Sequence, residues 1–233
     1  MQAVVLAGGK GTRLKPYTAD LPKPLVPVGQ RPIIEILLTQ FQKAGVSTVY
    51  LAVNHLAHLI RSVLGDGSQY GLDLHYCVED RPLGTVGPLR QIDGLPEHFL
   101  VANGDILTDL DVFDLYQDHV QSGALLTVAT HRRREKIDYG VLEVGADRLV
   151  TGFSEKPVQE LSVSMGMYVF SRSVLDFVPE NEPFGFDDLM HRLLERNQRI
   201  RAFPYDGYWL DIGRPDDYER AQTDIDRINT WLV

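Results

Sequence analysis

The sequence predicts an α/β fold in which a mixed, mainly parallel central sheet carries helices on both faces. In the first half of the chain, short β-rich runs alternate with helical patterns, and this alternation is typical of a parallel sheet covered by helices. Beyond Gly123, strand patterns follow one another with few helices between them, which adds a mixed region to the same sheet. No long linker, low-complexity tract or repeat interrupts the 233 residues, so we expect a single domain over 1–233.

Four strands and two helices are predicted before residue 110. The strands are the short apolar runs at residues 3–6, 48–53, 74–78 and 99–102. A first helix places Ile34, Leu37, Leu38 and Phe41 at helical spacing and stops near Gly45, and a second helix ends at Gly65. Sheets of this kind bind ligands beyond the carboxyl ends of their strands.

The second half is predicted to contain more strands than helices. Strand patterns occupy residues 124–130, 139–144, 148–155 and 166–171. Two amphipathic helices are predicted to start near Asp187 and Pro215.

Bulk composition excludes several classes of protein. A net charge of −9 disfavours a general nucleic-acid binder, which carries a basic face. Cys77 is the only cysteine, so an intramolecular disulfide is impossible, and we expect a small apolar residue inside a strand. No stretch reaches the roughly 18 apolar residues of a membrane span, and the N-terminus lacks a signal-peptide pattern. We therefore expect a cytoplasmic protein with neither nucleic-acid nor membrane partners.

A glycine-rich turn follows the first strand in the stretch LAGGKGTRL, residues 6–14. It is not the dinucleotide fingerprint, whose third glycine is replaced by Leu14, and the chain has no P-loop pattern. Glycines let backbone N–H groups approach phosphate oxygens, and Arg13 and Lys23 add positive charge nearby. The turn and the two cations together predict a polyphosphate site.

Six motifs in this order resemble the sugar-1-phosphate nucleotidylyltransferases, and their wording is closest to the mannose- and heptose-1-phosphate guanylyltransferases. They are LAGGKGTRL at 6–14, PKPL at 22–25, PLGTVGPL at 82–89, NGD at 103–105, FSEKP at 153–157 and GYWLDIGRPDDY at 207–218. The resemblance implies a Rossmann-like three-layer nucleotidyltransferase fold. It also implies a reaction in which a sugar 1-phosphate attacks the α-phosphate of a nucleoside triphosphate and releases pyrophosphate.

The resemblance also implies site residues. Arg13, Lys23, Asp105 and Asp211 would be catalytic, and the two aspartates would bind Mg²⁺, which suits carboxylate and phosphate oxygens. The nucleotide would contact Leu6, Ala7, Gly8, Gly9, Gly11, Thr12, Arg13, Glu79, Pro82, Gly84 and Thr85. The sugar phosphate would contact Lys23, Asn103, Gly104, Tyr139, Gly140, Glu155, Lys156, Ser164 and Gly166. The nucleotide part would span about 1–110 and the sugar-phosphate part about 111–233, and with no hexapeptide repeat we expect no β-helix extension.

Two positions bear on substrate choice. Glu79 precedes the second nucleotide loop, where relatives that use dTTP or UTP typically carry glutamine. The two carboxylate oxygens match the adjacent N1–H and amino donors of guanine, which favours GTP, although a solvent-facing glutamate is the alternative. Ser164 stands where the family usually has an asparagine that contacts sugar hydroxyls, so the identity of the sugar stays open.

Other interpretations remain open. A dTTP, UTP or CTP user of the same fold, a non-catalytic sensor of nucleotide sugars and a glycosyltransferase are the rivals. The D-x-D at Asp109 and Asp111 would favour the last, but Asp111 opens a helical pattern, so we interpret it as an N-cap. His55 and His58 are interpreted as surface or capping residues, and the sequence is compatible with a homodimer.

Overall fold

The computed structural model describes residues 1–9, 11–54, 56–79 and 81–232. Its strands are β1 (Gln2–Leu6), β2 (Pro27–Val28), β3 (Arg31–Pro32), β4 (Thr48–Val53), β5 (Asp73–Val78), β6 (His98–Asn103), β7 (Ile106–Thr108), β8 (Leu126–Lys136), β9 (Gly140–Val144), β10 (Val150–Glu155), β11 (Val158–Ser171), β12 (Ile200–Tyr205) and β13 (Trp209–Asp211). Its α-helices are α1 (Ile33–Lys43), α2 (Ala57–Leu64), α3 (Val112–Ser122), α4 (Phe186–Glu195), α5 (Pro215–Thr223) and α6 (Ile225–Thr230).

A seven-stranded sheet in the order β12-β8-β11-β6-β1-β4-β5 forms the centre of the molecule. β1 runs parallel to β4 and β6, β4 runs parallel to β5, and β12 runs parallel to β8. Within the part of the chain that the structure describes, β11 is the strand of this sheet that is antiparallel to both of its neighbours, β6 and β8. The predicted α/β fold with a mixed, mainly parallel sheet is confirmed.

Helices cover both faces because successive residues of a strand point to opposite sides. In β1, Ala3 and Val5 join a core with α1, α2 and α3, whereas Val4 joins the opposite core with α4. The first four predicted strands and both early helices are present, and Gly45 follows the end of α1 with a φ of 82°. The sheet therefore has the predicted three layers.

A third apolar cluster joins the turn after β1 to the C-terminal helices. Its members come from the glycine-rich turn, α1, β7, β13, α5 and α6, and they include Leu14, Ile36, Leu107, Leu210, Ile212, Ala221 and Ile228. Because these side chains are buried together, the turn and the end of β13 are held at one edge of the sheet. The two ends of the sequence thereby meet at one site.

Two predictions about the second half of the chain need correction. β9 and β10 form a separate two-stranded hairpin and do not join the main sheet. Leu142 and Phe153, on these two strands, are exposed, so an apolar strand pattern does not here indicate burial in the central sheet. The pattern from Pro215 forms two helices that break at Asp224. Cys77 does lie in a strand, but β5 is an edge strand and the residue is only half-buried.

The aspartates of the D-x-D pattern have structural roles. Asp111 caps α3, and its carboxylate accepts hydrogen bonds from the backbone N–H groups of Phe113 and Asp114. Asp109 accepts from the Tyr205 hydroxyl and the Tyr208 backbone N–H, so it ties the start of this segment to the end of β12. In the described ranges, none of the helices is both long and apolar enough to cross a membrane.

We expect stability to fall between pH 6.5 and pH 4 because of one buried histidine. His119 is fully buried between the hydroxyls of Thr127 and Ser171, and burial, with a smaller contribution from His98, lowers its pKa to about 4. In the unfolded chain the imidazole of His119 is protonated below about pH 6.5, whereas in the folded chain it is protonated only below about pH 4. Acidification between these two values therefore favours unfolding. From pH 7 to pH 5 the free energy of unfolding should fall by about 2 kcal/mol from this group.

Urea denaturation at pH 7 and pH 5 measures this effect. His119→Gln should remove most of the pH dependence, whereas replacement of the exposed His75 by Gln should leave it in place. Equal pH dependence in the wild type and in His119→Gln would contradict the assignment.

Candidate active site

A cavity of about 340 Å³ opens at the carboxyl ends of β1, β4 and β6. We call it the glycine-turn cavity. Its lining residues are Leu6, Ala7, Gly8, Gly9, Lys23, Pro24, Ala52, Asn54, Glu79, Pro82, Gly84, Thr85, Pro88, Asn103, Gly104 and Asp105. The sheet creates it because parallel strands end together and the connections after them diverge.

Backbone hydrogen bonds continue the sheet into the walls of this cavity. The N–H of Ala7 donates to the carbonyl of Ala52 at 2.8 Å, and the N–H of Gly104 donates to the carbonyl of Leu6 at 3.0 Å. The segments after three neighbouring strands are therefore aligned before any ligand binds. Four of the polar lining residues lie at or just after strand ends, namely Asn54, Glu79, Asn103 and Asp105.

Gly11 allows the glycine-rich turn to lie against Lys23. Its φ of 61° is in the left-handed region, and a Cβ there would come within 3.1 Å of the Cβ of Lys23. The Thr18 hydroxyl donates to the carbonyl of Gly11 at 2.7 Å and closes the turn. Gly11 and Thr12, which were predicted to contact the nucleotide, do not line the glycine-turn cavity. They belong to the turn that borders it.

Lys23 forms an ion pair with Asp105 on the floor of the site. Lys23 begins a short 3-10 helix after Pro22, and only about a tenth of its side chain is exposed. Its ammonium donates to Oδ2 of Asp105, while Oδ1 of that carboxylate is buried with no hydrogen-bond partner in the part of the chain described. A buried carboxylate oxygen without a partner is costly unless a ligand or a cation satisfies it.

Asp211 comes to the same place through a pair of short strands. β13 is antiparallel to β7 with Asp211 opposite Ile106, and the N–H of Ile212 donates to the carbonyl of Asp105 at 3.1 Å. The Asp211 side chain reaches solvent on one side. On its other sides the protein desolvates it and Asp105 repels its charge, and both effects raise the pKa of Asp211, whereas Lys23 opposes the rise.

The two carboxylates fit a magnesium site completed by substrate. Asp105 has an unsatisfied oxygen, and both carboxylates are hard oxygen donors, which Mg²⁺ prefers. No cluster of three or more His, Cys, Asp or Glu side chains that could hold a metal occurs among the residues described. A divalent cation here would take its remaining ligands from phosphate groups and water, as Mg²⁺ commonly does at phosphate sites.

Glu79 is buried rather than solvent-facing. Only 9% of it is exposed, and its Oε2 accepts the backbone N–H of Leu83 at 2.9 Å, so one oxygen already holds the second loop in position. Burial raises the pKa of Glu79, and the hydrogen bond from Leu83 opposes that rise. A Cβ on Gly8 would be 3.3 Å from Oε1, which places Glu79 directly beside the glycine-rich turn.

The residues predicted for the sugar phosphate divide into two groups. Asn103, Gly104 and Lys23 line the glycine-turn cavity. The remaining six are outside its lining, namely Tyr139, Gly140, Glu155, Lys156, Ser164 and Gly166. Tyr139, Glu155 and Lys156 are exposed beside the β9–β10 hairpin. The Ser164 hydroxyl bonds that of Tyr168 at 3.1 Å, so this serine is engaged within the protein.

Gly166 is held close to the cavity. Its φ is 76°, and a Cβ there would lie 2.6 Å from the amide nitrogen of Asn103. The absence of a side chain therefore gives Asn103 its place in the lining.

Arg13 and Asp211 line a second, neighbouring cleft.

The sequence analysis did not predict Asn54, which also lines the glycine-turn cavity. Its position directly after β4 was the available signal, because a polar residue at the carboxyl end of a parallel strand points to a ligand. His55, from the predicted histidine pair, and Lys10 of the turn lie outside the described residues.

Comparison with known proteins agrees with this geometry. Residues 2–227 match the family described as Nucleotidyl transferase. A mannose-1-phosphate guanyltransferase of Debaryomyces hansenii is 34% identical over 227 residues, which cover 94% of this chain and 62% of that protein. A UTP–glucose-1-phosphate uridylyltransferase of Synechocystis is 32% identical over 241 residues, covering 95% and 62% respectively. The chain thus spans about three fifths of the length of these relatives.

A solved structure shows the same architecture. The crystal structure of HddC from Yersinia pseudotuberculosis complexed with GMP-PN superposes with a TM-score of 0.73 at 26% identity, covering 96% of this chain and 99% of the other. A match over nearly the whole sequence and a shared fold agree with the six motifs. The chain belongs to the nucleotidyl transferase family.

Proposed function

We propose that this protein is a Mg²⁺-dependent sugar-1-phosphate nucleotidylyltransferase that uses GTP and a mannose- or heptose-type 1-phosphate. One observation carries the proposal. The Lys23–Asp105 ion pair, with its unsatisfied carboxylate oxygen, lies in the floor of the glycine-turn cavity, and the strand pairing of β13 brings Asp211 to Asp105. A cation, two metal-type carboxylates and a glycine-rich turn are what two phosphate-bearing substrates need to approach each other.

The reaction needs no nucleophile from the protein. A phosphate oxygen of the sugar 1-phosphate forms a bond to the α-phosphorus, and the bond from that phosphorus to the oxygen of the β-phosphate breaks, which releases pyrophosphate. Catalysis then consists of positioning and charge neutralisation. Asp105 and Asp211 would hold Mg²⁺, which supplies Lewis-acid stabilisation of the phosphate oxygens when bound.

The chain's own residues perform the positioning. Backbone N–H groups of the glycine-rich turn face the phosphates, as amides in such turns commonly do. Lys23 has three ammonium donors, so it can keep its bond to Asp105 while it contacts a phosphate oxygen. Pocket walls made by Leu6, Pro82 and Pro88 supply apolar surface against a base.

The choice of GTP rests on Glu79 and on the relatives. A buried carboxylate beside the cavity can accept the paired donors of guanine, and the relative from Debaryomyces hansenii is a guanyltransferase. The Synechocystis relative uses UTP by its name, so the base is the part of the proposal that most needs a test. The single-domain organisation, a homodimer and a cytoplasmic location remain predictions from the sequence.

Glu79→Gln should reduce the preference for GTP over UTP by about tenfold, the effect expected from losing one hydrogen bond to a charged group. Glutamine can still accept the N–H of Leu83, so the loop should keep its position. The measurement is the ratio of kcat/KM for the two nucleotides. Glu97→Gln, at an exposed ion pair, is the control, and an unchanged ratio in Glu79→Gln would remove this residue from base recognition.

Pyrophosphate release tests the function as a whole. The assay contains Mg²⁺, each of GTP, UTP, dTTP, CTP and ATP, and a panel of hexose and heptose 1-phosphates. Release that requires both substrates supports the reaction, and the best pair names the product. Tight binding of a nucleotide sugar without release from any pair would instead favour a sensor.

A further inference from the structure

A second cleft, of about 550 Å³, adjoins the reaction centre, and we call it the arginine cleft. Its lining residues are Arg13, His131, Arg132, Arg133, Arg134, Trp209, Leu210, Asp211, Gly213, Arg214, Asp217 and Arg220. Six arginines therefore line one cleft in a protein whose net charge is −9. Arg13 belongs to the glycine-rich turn and has a predicted role in the reaction. The other five arginines have no assigned role in it.

The carboxylates that pair with these arginines lie outside the cleft lining. Arg132 is 3.6 Å from Asp206, and Arg134 is 2.7 Å from Glu160, yet neither acid lines the cleft. The same holds for the acidic partners of the other two paired arginines, which are Glu135 for Arg133 and Asp224 for Arg220. The cleft lining therefore contains these four arginines without the acids that pair with them.

Two of the arginines have no ion pair among the residues described. These are Arg13 and Arg214, which are both exposed. Among the described residues, the cleft lining contains two acids, and one of them, Asp217, already accepts the backbone N–H groups of Gly213 and Arg214 at 3.2 and 2.9 Å. The other acid is Asp211, a proposed magnesium ligand. The cleft thus has more positive charge than its own acids can balance.

The arginine cleft contains one of the proposed metal carboxylates, and it is also linked to the strand that carries two predicted sugar contacts. Asp211 is part of its lining, and the adjoining Ile212 is bonded to Asp105. The Trp209 indole donates to the carbonyl of Met165 at 2.9 Å, between the predicted sugar contacts Ser164 and Gly166. An anion in the cleft would therefore be within the span of a substrate bound at the metal carboxylates.

We propose that the arginine cleft binds a second phosphate group, in addition to the one that reacts. Guanidinium groups suit it because they remain charged and grip phosphate oxygens with two parallel hydrogen bonds. The second phosphate comes from one of two sources: the pyrophosphate end of the triphosphate or a further phosphate on the sugar. The inference rests on the proposed function, in which both substrates are phosphorylated.

Arg132→Gln and Arg214→Gln test the cleft without touching Arg13 or the two metal carboxylates. Arg172→Gln is the matched control, because Arg172 is 59% exposed and 3.8 Å from its carboxylate partner, as Arg132 is 59% exposed and 3.6 Å from its own. Calorimetric binding of inorganic pyrophosphate to the full chain is the first arm. Steady-state kinetics that compare mannose 1-phosphate with mannose 1,6-bisphosphate are the second arm.

The two arms distinguish the two sources. If the phosphate is pyrophosphate, each cleft variant should bind it about tenfold more weakly, as expected for one lost charged hydrogen bond, and the control should match the wild type. If the phosphate is on the sugar, the wild type should prefer the bisphosphate at least about tenfold, and each cleft variant should lose that preference. Unchanged pyrophosphate affinity together with unchanged sugar preference in both variants would overturn the proposal.

The first arm also separates this proposal from the proposed function, because it measures binding without turnover. Weakened pyrophosphate binding in the cleft variants, in a protein that reacts with no substrate pair, would uphold the cleft and reject the function. Normal turnover in the wild type, together with unchanged pyrophosphate affinity and unchanged sugar preference in both cleft variants, would uphold the proposed function and reject the second phosphate site.

Discussion

Asp105→Asn and Asp211→Asn are each expected to reduce turnover by about a thousandfold. Both replacements keep the size of the side chain and remove a negative charge from the position proposed for Mg²⁺. Lewis-acid stabilisation of a phosphoryl transition state contributes several kcal/mol, and about 4 kcal/mol corresponds to three factors of ten in rate. Pyrophosphate release at saturating substrates measures the loss, and thermal unfolding verifies that each variant is folded.

The D-x-D segment offers a matched control. Asp111→Asn also neutralises an aspartate near this edge of the sheet, but Asp111 caps α3, and asparagine caps a helix as well as aspartate does. Its turnover should stay within about twofold of the wild type. Full activity in both Asp105→Asn and Asp211→Asn would reject the magnesium assignment, and a loss in Asp111→Asn alone would revive the glycosyltransferase interpretation.

Lys23→Ala should lower kcat by about a hundredfold to a thousandfold, the effect of removing one preorganised donor from a developing negative charge. Lys23 is the buried cation that contacts Asp105 inside the glycine-turn cavity. The effect should be on kcat more than on KM, because a group that acts in the transition state changes the two unequally.

Lys136→Ala is the control for this loss. Its ammonium pairs with Asp138 at 3.0 Å on the surface, and 60% of the side chain is exposed, so the change should leave kcat near that of the wild type. A Lys23→Ala variant with normal kcat would remove Lys23 from catalysis and leave it as a structural partner of Asp105. Rapid-quench single-turnover measurements would separate a loss in chemistry from a loss in product release.

The family motifs predicted many of the residues that line the glycine-turn cavity. Leu6, Gly8, Glu79, Gly84 and Asp105 were all predicted, and they line one cavity because they lie at the ends of β1, β5 and β6 or in the connections that follow these strands. The exposed hairpin residues were predicted from the same resemblance, and their contribution to sugar binding stays a prediction. The strand patterns at β9 and β10 were predicted to join the main sheet, but these strands form a separate hairpin on which Leu142 and Phe153 are exposed.

The arginine cleft could not be predicted, although its residues are plain in the sequence. Arg132, Arg133 and Arg134 form a charge run that is usually a solvated face, and nothing in the spacing links them to Arg214 or to Arg13. The sequence also did not predict that Glu79 is buried and that its carboxylate accepts a hydrogen bond from the backbone N–H of Leu83. Such contacts depend on which loops meet, and that is decided by packing between segments far apart in the chain.

The sequence by itself determined the local chemistry of this protein: the strand and helix periods, the glycine-rich turn, and the types of residue that suit phosphate and Mg²⁺. Each of these depends on neighbours along the chain. Tertiary structure alone decided that Asp211 meets Asp105 across 106 residues, because the pairing of β13 with β7 and the shared apolar cluster bring the two carboxylates together. It also decided that six arginines from distant parts of the chain line one cleft, since only the folded strands and helices define where these residues meet.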